Sequence, residues 1–313
     1  GIDFNSQLRP EFIRTLASAS WSYRWVDRKR SQHRFDLLDV NYVYVPWKSK
    51  NFVEYLDNLS DRNSILTKSY EDQLIVSMGY SYIYNSANNR DRTSGKRNSY
   101  SIRVNVEEAG NLLYAASKTL HRSPKAEKGY VIANIPFAQY VKGDFDLAQH
   151  WNIDDRNSLV FHIGMGIGYP YGNSKALPFE KRYFSGGPNS VRGWSVRSLG
   201  PGNYQGTDGK MNYIEHTGDI KLDLNIEYRT HLFWKFNGAA FIDAGNIWNI
   251  HDYVEQEEAT FRLNRFYEQL AVAYGLGIRF DLDYLMIRFD GGMKAINPIY
   301  TGKDKIPFLK PKF

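Results

Sequence analysis

The feature of this sequence that most restricts its fold is a two-residue alternation of apolar and polar side chains, repeated in segment after segment. Ile220, Leu222, Leu224, Ile226 and Tyr228 fall on one face of an extended strand, while Lys221, Asp223, Asn225, Glu227 and Arg229 fall on the other. Tyr100, Ile102, Val104 and Val106 oppose Ser101, Arg103, Asn105 and Glu107 in the same way. Val272, Tyr274, Leu276, Ile278 and Phe280 oppose Ala271, Ala273, Gly275, Gly277 and Arg279, and Phe161, Ile163, Met165, Ile167 and Tyr169 oppose His162, Gly164, Gly166 and Gly168. Glycine on the second face leaves room in an interior. Segments 15–25, 38–44, 74–84, 141–151, 238–248 and 285–293 have the same character. That makes about ten strands, many near the roughly 9–11 residues a tilted membrane strand needs.

One strand of this kind suits a soluble sandwich as well as a membrane barrel, so the connections decide. Long links at about 47–72, 110–138, 171–217 and 249–269 alternate with shorter ones near 27–33, 87–97, 152–157, 232–235 and 283. Outer-membrane barrels have this asymmetry, with short periplasmic turns and long external loops, and a sandwich has no reason for it. Aromatic residues make up 15% of the chain, and Trp21, Tyr23, Trp25, Tyr82, Tyr84, Tyr169 and Trp248 stand towards strand ends, where interfacial girdles belong. No stretch approaches the roughly 18–20 apolar residues of a membrane helix. The polar average of the chain does not count against a membrane, because alternation hides the apolar face. The expected fold is therefore all-β, a transmembrane antiparallel β-barrel.

The net charge of +6 is spread among 34 acidic residues with no sustained basic face, so nucleic acid is not an expected partner. Cysteine is absent, which excludes disulfides, thiolate chemistry and Cys-type zinc sites. The seven histidines form no His-Glu-x-x-His pattern, and no nucleophile or acid–base constellation stands out, so neither an enzyme nor a cofactor or metal is expected. His251, Asp252, Glu255, Glu257 and Glu258 lack the spacing of a calcium loop and read as a solvated acidic segment. Arg24, Arg28, Lys29, Arg30 and Arg34 read as a solvated turn rather than a headgroup site.

The longest link contains Phe184-Ser185-Gly186-Gly187-Pro188-Asn189-Ser190-Val191-Arg192-Gly193-Trp194. It is neither a phosphate loop, lacking Gly-Lys-Ser/Thr and a following helix pattern, nor a Gly-x-Ser-x-Gly elbow. It closely resembles the Phe-x-Gly-Gly and Val-Arg-Gly-aromatic loop motif of the BamA/TamA superfamily of outer-membrane assembly and translocation barrels, the bacterial surface antigen family. Glu227 on the next strand and Phe241-Ile242-Asp243-Ala244-Gly245-Asn246-Ile247-Trp248 on the one after extend the resemblance, as do Gly275 to Phe280 and Ile287-Arg288-Phe289-Asp290. It covers about residues 140–295; upstream only the strand pattern supports it.

The resemblance implies that the loop folds back into the barrel and that Arg192 meets Glu227 and Asp243 on the inner wall. The alternation agrees, since both carboxylates share the polar parity of their strands. A guanidinium fork engages two carboxylates where an ammonium cannot, and Gly186, Gly187 and Gly193 permit a tight reversal close to the wall. The resemblance further implies a bacterial outer-membrane location, a barrel of about sixteen strands with the loop after the eleventh, and preceding POTRA domains. Here the loop follows about the sixth candidate strand, so first strands, last strand and POTRA domains are expected to lie outside residues 1–313, a partial C-terminal barrel domain. The implied function is insertion or export of client outer-membrane proteins at a seam between first and last strands. Its implied partners are outer-membrane lipids, folding client proteins, and accessory lipoproteins or periplasmic subunits. A passive porin or solute channel lined by Arg103, Glu107, Asp223 and Arg279, with a loop as constriction, remains the alternative.

Overall fold

The computed structural model describes residues 1–28, 30–60, 70–88, 98–125, 128–205, 215–253, 256–282 and 284–306. Eleven strands form one antiparallel sheet in sequence order: β1 (Ile2–Leu8), β2 (Phe12–Val26), β3 (Gln32–Lys48), β4 (Gln73–Asn85), β5 (Ser99–Ala109), β6 (Tyr140–Asn152), β7 (Asn157–Pro170), β8 (Ile220–Phe233), β9 (Phe236–Trp248), β10 (Ala271–Leu282) and β11 (Leu285–Ile296). The ten strands expected from alternation are all present. β1 is an addition, too short and too polar at Ser6 and Gln7 to stand out by pattern. The long motif-bearing loop therefore follows the seventh strand of the described sheet.

Nearest-neighbour meander pairing puts every second connection on the same side. The links at 27–31, 153–156 and 234–235 lie on one side, and those after β3, β5, β7 and β9 on the other. The β1–β2 connection, residues 9–11, is a short turn on the long-link side, so the length asymmetry begins only at β2. Two of the long links contain helices, α1 (Lys50–Ser60) and α2 (Asn111–Thr119), which a search for period two passes over. Their apolar residues recur at helical spacing: Phe52 and Leu56 of α1 pack with Phe12 and Tyr70.

The sheet is curved around the loop. Arg14 of β2 pairs with Glu180, and Arg288 of β11 donates to the Pro188 carbonyl at 3.1 Å. In a flat sheet nine spacings of about 4.8 Å would separate those strands by about 43 Å. Eight residues span at most about 29 Å when fully extended, and these turn back at Gly186 and Gly187, with φ of 94° and 95°.

Burial follows parity as a membrane barrel requires, inverted relative to a soluble core. Ile242 is 55% exposed while its neighbour Asp243 is 0% exposed. On the outer face Val106, Met165, Ile167, Ile226, Leu276, Ile278 and Phe289 stand exposed. Buried apolar clusters form instead under the loops and against the inner wall, as with Val191, Trp194, Leu199, Ala271 and Ala273. No described helix is long and apolar enough to cross a membrane, and the strands provide the crossing.

Tyr23, Trp25 and Tyr169 are exposed near strand ends, as girdles would be, whereas Trp21 is exposed nearer the middle of β2 and Tyr82 and Tyr84, near the end of β4, are half-buried. Trp248 departs from that expectation. It has outward parity, but residues 256–269 fold over it, Phe261 and Phe266 lie 5.6 and 6.3 Å from its ring, and its indole N–H donates to Gln269 Oε1 at 2.8 Å. Strand parity alone carries no information about a later loop that returns to cover the strand end.

Candidate functional site

The loop between β7 and β8 enters the concave side of the sheet, and small residues on the wall make room for it. A Cβ at Gly166 would clash with the hydroxyl end of the Tyr183 ring, nearest its Cζ, and one at Gly168 would overlap Leu177. These glycines, read from the sequence as interior space, are therefore contact points for the loop. At Gly193 an added Cβ would lie 2.9 Å from the Ala273 Cβ, and at Gly292 one would lie 2.6 Å from the Arg192 carbonyl oxygen. Gly245 likewise sits beneath Asp223 and Val191.

This close approach delivers Arg192 to a cluster of carboxylates. Its Nε donates to Asp243 Oδ2 at 2.7 Å and an Nη atom donates to Asp243 Oδ1 at 2.8 Å, a two-pronged contact on one carboxylate. The other Nη atom donates to Glu227 Oε2 at 2.6 Å and to Asp290 Oδ2 at 3.3 Å. The Arg192 backbone N–H adds a fifth contact, to Asp243 Oδ2 at 3.1 Å. The guanidinium also lies over the Phe241 ring, 3.4 Å from its centroid. Its burial disfavours the charge, but hydrogen bonds and charges from Asp243 and Glu227 more than offset this and raise its pKa above the ordinary arginine value.

The wall side of the cluster is shared. Glu227 Oε1 accepts from Arg229 at 2.6 Å and from Arg279 at 2.7 Å, and Asp290 lies 3.3 Å from Arg288. Asn225 donates to both Asp243 Oδ1 and the Ser190 carbonyl at 2.8 Å. Four arginines and three carboxylates thus alternate across β8, β9, β10 and β11, with the loop arginine touching three of those strands. Trp194 is buried beside Ala271 and Ala273, with Lys294 Nζ 5.0 Å from its ring centre. Phe184, at the head of the motif, is 39% exposed and faces the Arg197 guanidinium at 4.6 Å.

Several contacts carry no signature in the sequence. Asp290 is one: on β11 it has inward parity like any solvated interior charge, and only the docked loop gives it a partner. A second is a buried ion pair at the loop's base. Arg182 Nη lies 2.9 Å from Asp219 Oδ1, both side chains 0% exposed. Arg182 also donates to Thr217 Oγ1 at 2.9 Å and Asn249 Oδ1 at 2.6 Å, while Asp219 accepts from the Ile250 backbone N–H at 3.1 Å. A third set lies on the far wall, where Tyr183 donates to Asp144 at 2.6 Å and Lys181 meets Glu107 at 2.6 Å.

Lys29 and Glu255 lie outside the described residues. Arg24, Arg28, Arg30 and Arg34 are in or beside the β2–β3 turn, where Arg34 pairs with Asp36 at 2.7 Å. Among the described residues no three His, Asp or Glu side chains gather as metal ligands.

The Omp85 superfamily domain model matches residues 6–308 of this chain. The outer membrane protein assembly factor BamA of Neisseria meningitidis is 32% identical over 116 residues, 34% of this chain and 14% of that protein. The sorting and assembly machinery component 50 homolog of Xenopus tropicalis is 30% identical over 166 residues, 48% of this chain and 31% of that protein. Among solved structures, BamA from Haemophilus ducreyi lacking POTRA domains 1–3 superposes with a TM-score of 0.58 at 14% identity, covering 90% of this chain and 51% of that one. CdiB from Escherichia coli gives 0.51 at 11% identity, covering 91% and 42%. The chain thus spans about half or less of the length of each of these proteins.

Proposed function

The chain belongs to the Omp85 superfamily of outer-membrane protein assembly and translocation barrels, and from that premise we propose that it inserts client β-barrel proteins into the bacterial outer membrane, presenting strand edges to them at a seam. The observation that supports this reading best is the docked loop. Residues 179–194 enter the interior and are fixed to opposite stretches of the wall, through Lys181 to Glu107 and through Arg192 to Glu227 and Asp243, which is the anchorage of a brace. In this reading the loop braces the wall of β8–β11 while strand exchange takes place elsewhere around the barrel. No covalent chemistry is required of any residue.

The motif residues Phe184, Gly186, Gly187, Val191, Arg192, Gly193 and Trp194 form the brace, with Glu227 and Asp243 as its wall partners and Gly245 as the clearance beneath Val191. The channel alternative is disfavoured by the same contacts. Of its four lining residues, Glu107 is paired with Lys181, Asp223 accepts from Ser190 at 2.9 Å, and Arg279 is paired with Glu227, so three of the four charges are engaged by protein partners rather than presented to a solute. Reconstitution of the complete protein in liposomes, with an unfolded outer-membrane barrel added as client, tests the proposal. Accelerated acquisition of the heat-resistant folded client band is expected. A stable open conductance with no effect on client folding would favour the channel.

A further inference from the structure

The outer surface of the barrel is not uniform. On β5–β8 a groove of about 580 Å³ runs along the membrane-facing side. Its floor is two neighbouring rows of the sheet: Val106, Gly143, Ile167 and Ile220, paired across the strands in that order, and Val104, Phe145, Met165 and Leu222 beside them. Gly143 makes the depression, because an added Cβ there would meet nothing nearer than the Asn105 carbonyl oxygen at 4.0 Å. The end wall comes from outside the sheet. Residues 256–269 fold down over Trp248, and their Phe261 and Phe266 close the groove on the long-link side.

The turn joining those two phenylalanines is Arg262-Leu263-Asn264-Arg265, with the Phe266 and Arg265 backbone N–H groups both donating to the Arg262 carbonyl. Leu263 and Tyr267 are 78% and 59% exposed, and both arginines are exposed. Arg265 shares its charge with Glu268 at 3.8 Å; among the described residues Arg262 has no such ion pair. An apolar trough opening towards the bilayer interior, capped by aromatic rings and two cations at the level where strands leave the membrane, matches one ligand chemistry: a hydrocarbon chain below an anionic headgroup. We propose that this groove is a specific site for a lipid of the long-link-side leaflet whose phosphate-bearing headgroup carries a net negative charge, with one acyl chain over Gly143 and its phosphate at Arg262 and Arg265. The proposal rests on the membrane-barrel fold and not on client insertion, so it stands or falls separately from the assembly role.

Photo-crosslinking tests it, using the complete protein in nanodiscs and phosphatidylglycerol or phosphatidylcholine carrying a photoreactive acyl chain. Peptides containing Phe145, Met165 and Phe266 should label above the remaining outer face, and phosphatidylglycerol should be preferred. Gly143→Leu should fill the floor and abolish the excess labelling. Arg262→Gln with Arg265→Gln, both on the surface, should leave acyl labelling in place and remove a headgroup preference of about fivefold per arginine. Labelling spread evenly around the barrel, or a headgroup preference unchanged in the double glutamine variant, would overturn the proposal.

Discussion

Replacing Arg192 by alanine isolates the energetics of the docked loop. Asp243, with a fully buried side chain, loses both contacts from the guanidinium and keeps only the backbone N–H of residue 192 and the Asn225 amide. Glu227 is less affected, because Arg229 and Arg279 still hold its other oxygen. The penalty therefore concentrates on one stranded carboxylate, for which about 3–5 kcal/mol is expected, with the lost stacking on Phe241 part of the same cost. Removing the charge as well, in Arg192→Ala with Asp243→Asn, should return at least about 1 kcal/mol of coupling, since neither partner then remains unpaired. Arg192→Lys should fall between wild type and alanine, because an ammonium cannot form the two-pronged contact with Asp243 and reach Glu227 together. Urea unfolding of the complete barrel in detergent micelles, followed by tryptophan fluorescence and heat-dependent gel mobility, measures wild type, Arg192→Ala, Asp243→Asn and the double variant as one cycle, and Arg192→Lys beside them. A loss below about 1 kcal/mol for Arg192→Ala, or strict additivity in the cycle, would refute the argument that a buried carboxylate depends on this arginine.

Other perturbations follow from the same geometry. Arg182→Met removes the partner of the fully buried Asp219 and should cost about 3–5 kcal/mol, with the loop base becoming a site of limited proteolysis while the strands stay protected. Gly166→Leu places a side chain where the Tyr183 ring lies, so the barrel should form while residues 179–194 become protease-sensitive; an equally protected loop would refute it. Asp290→Asn weakens long contacts to Arg192, Arg279 and Arg288, and a smaller loss, about 1–2 kcal/mol in the same urea assay, is expected. Planar-bilayer recordings of Arg192→Ala should show larger or more frequent conductance steps than wild type, because the loop that fills the interior is released.

Alternation made the wall legible, since apolar residues such as Ile242 and Leu276 face outward whatever the loops do, and ten strands follow from that alone. Glu227, Asp243 and Arg192 were legible together because a motif supplied the arginine and parity supplied the direction of the carboxylates. Contacts made when a loop returns to the wall were not. Asp290 and Asp219 look like ordinary polar-face or loop acids until Arg192 and Arg182 arrive from far along the chain, and Trp248 looks like a girdle residue until Phe261 and Phe266 cover it. The helices Lys50–Ser60 and Asn111–Thr119 were hidden for a simpler reason: their apolar spacing is helical and they lie in segments identified only as long links.

The central claim is that residues 179–194 sit inside the barrel against the β8–β9 wall. The chain has no native cysteine, so a designed pair reports cleanly. Ser190→Cys with Asp223→Cys replaces side chains whose oxygens lie 2.9 Å apart. In folded protein within membranes, mild oxidation should form this disulfide nearly completely and leave neither thiol open to a membrane-impermeant maleimide. A folded barrel in which both thiols stay reduced and label rapidly would contradict the account.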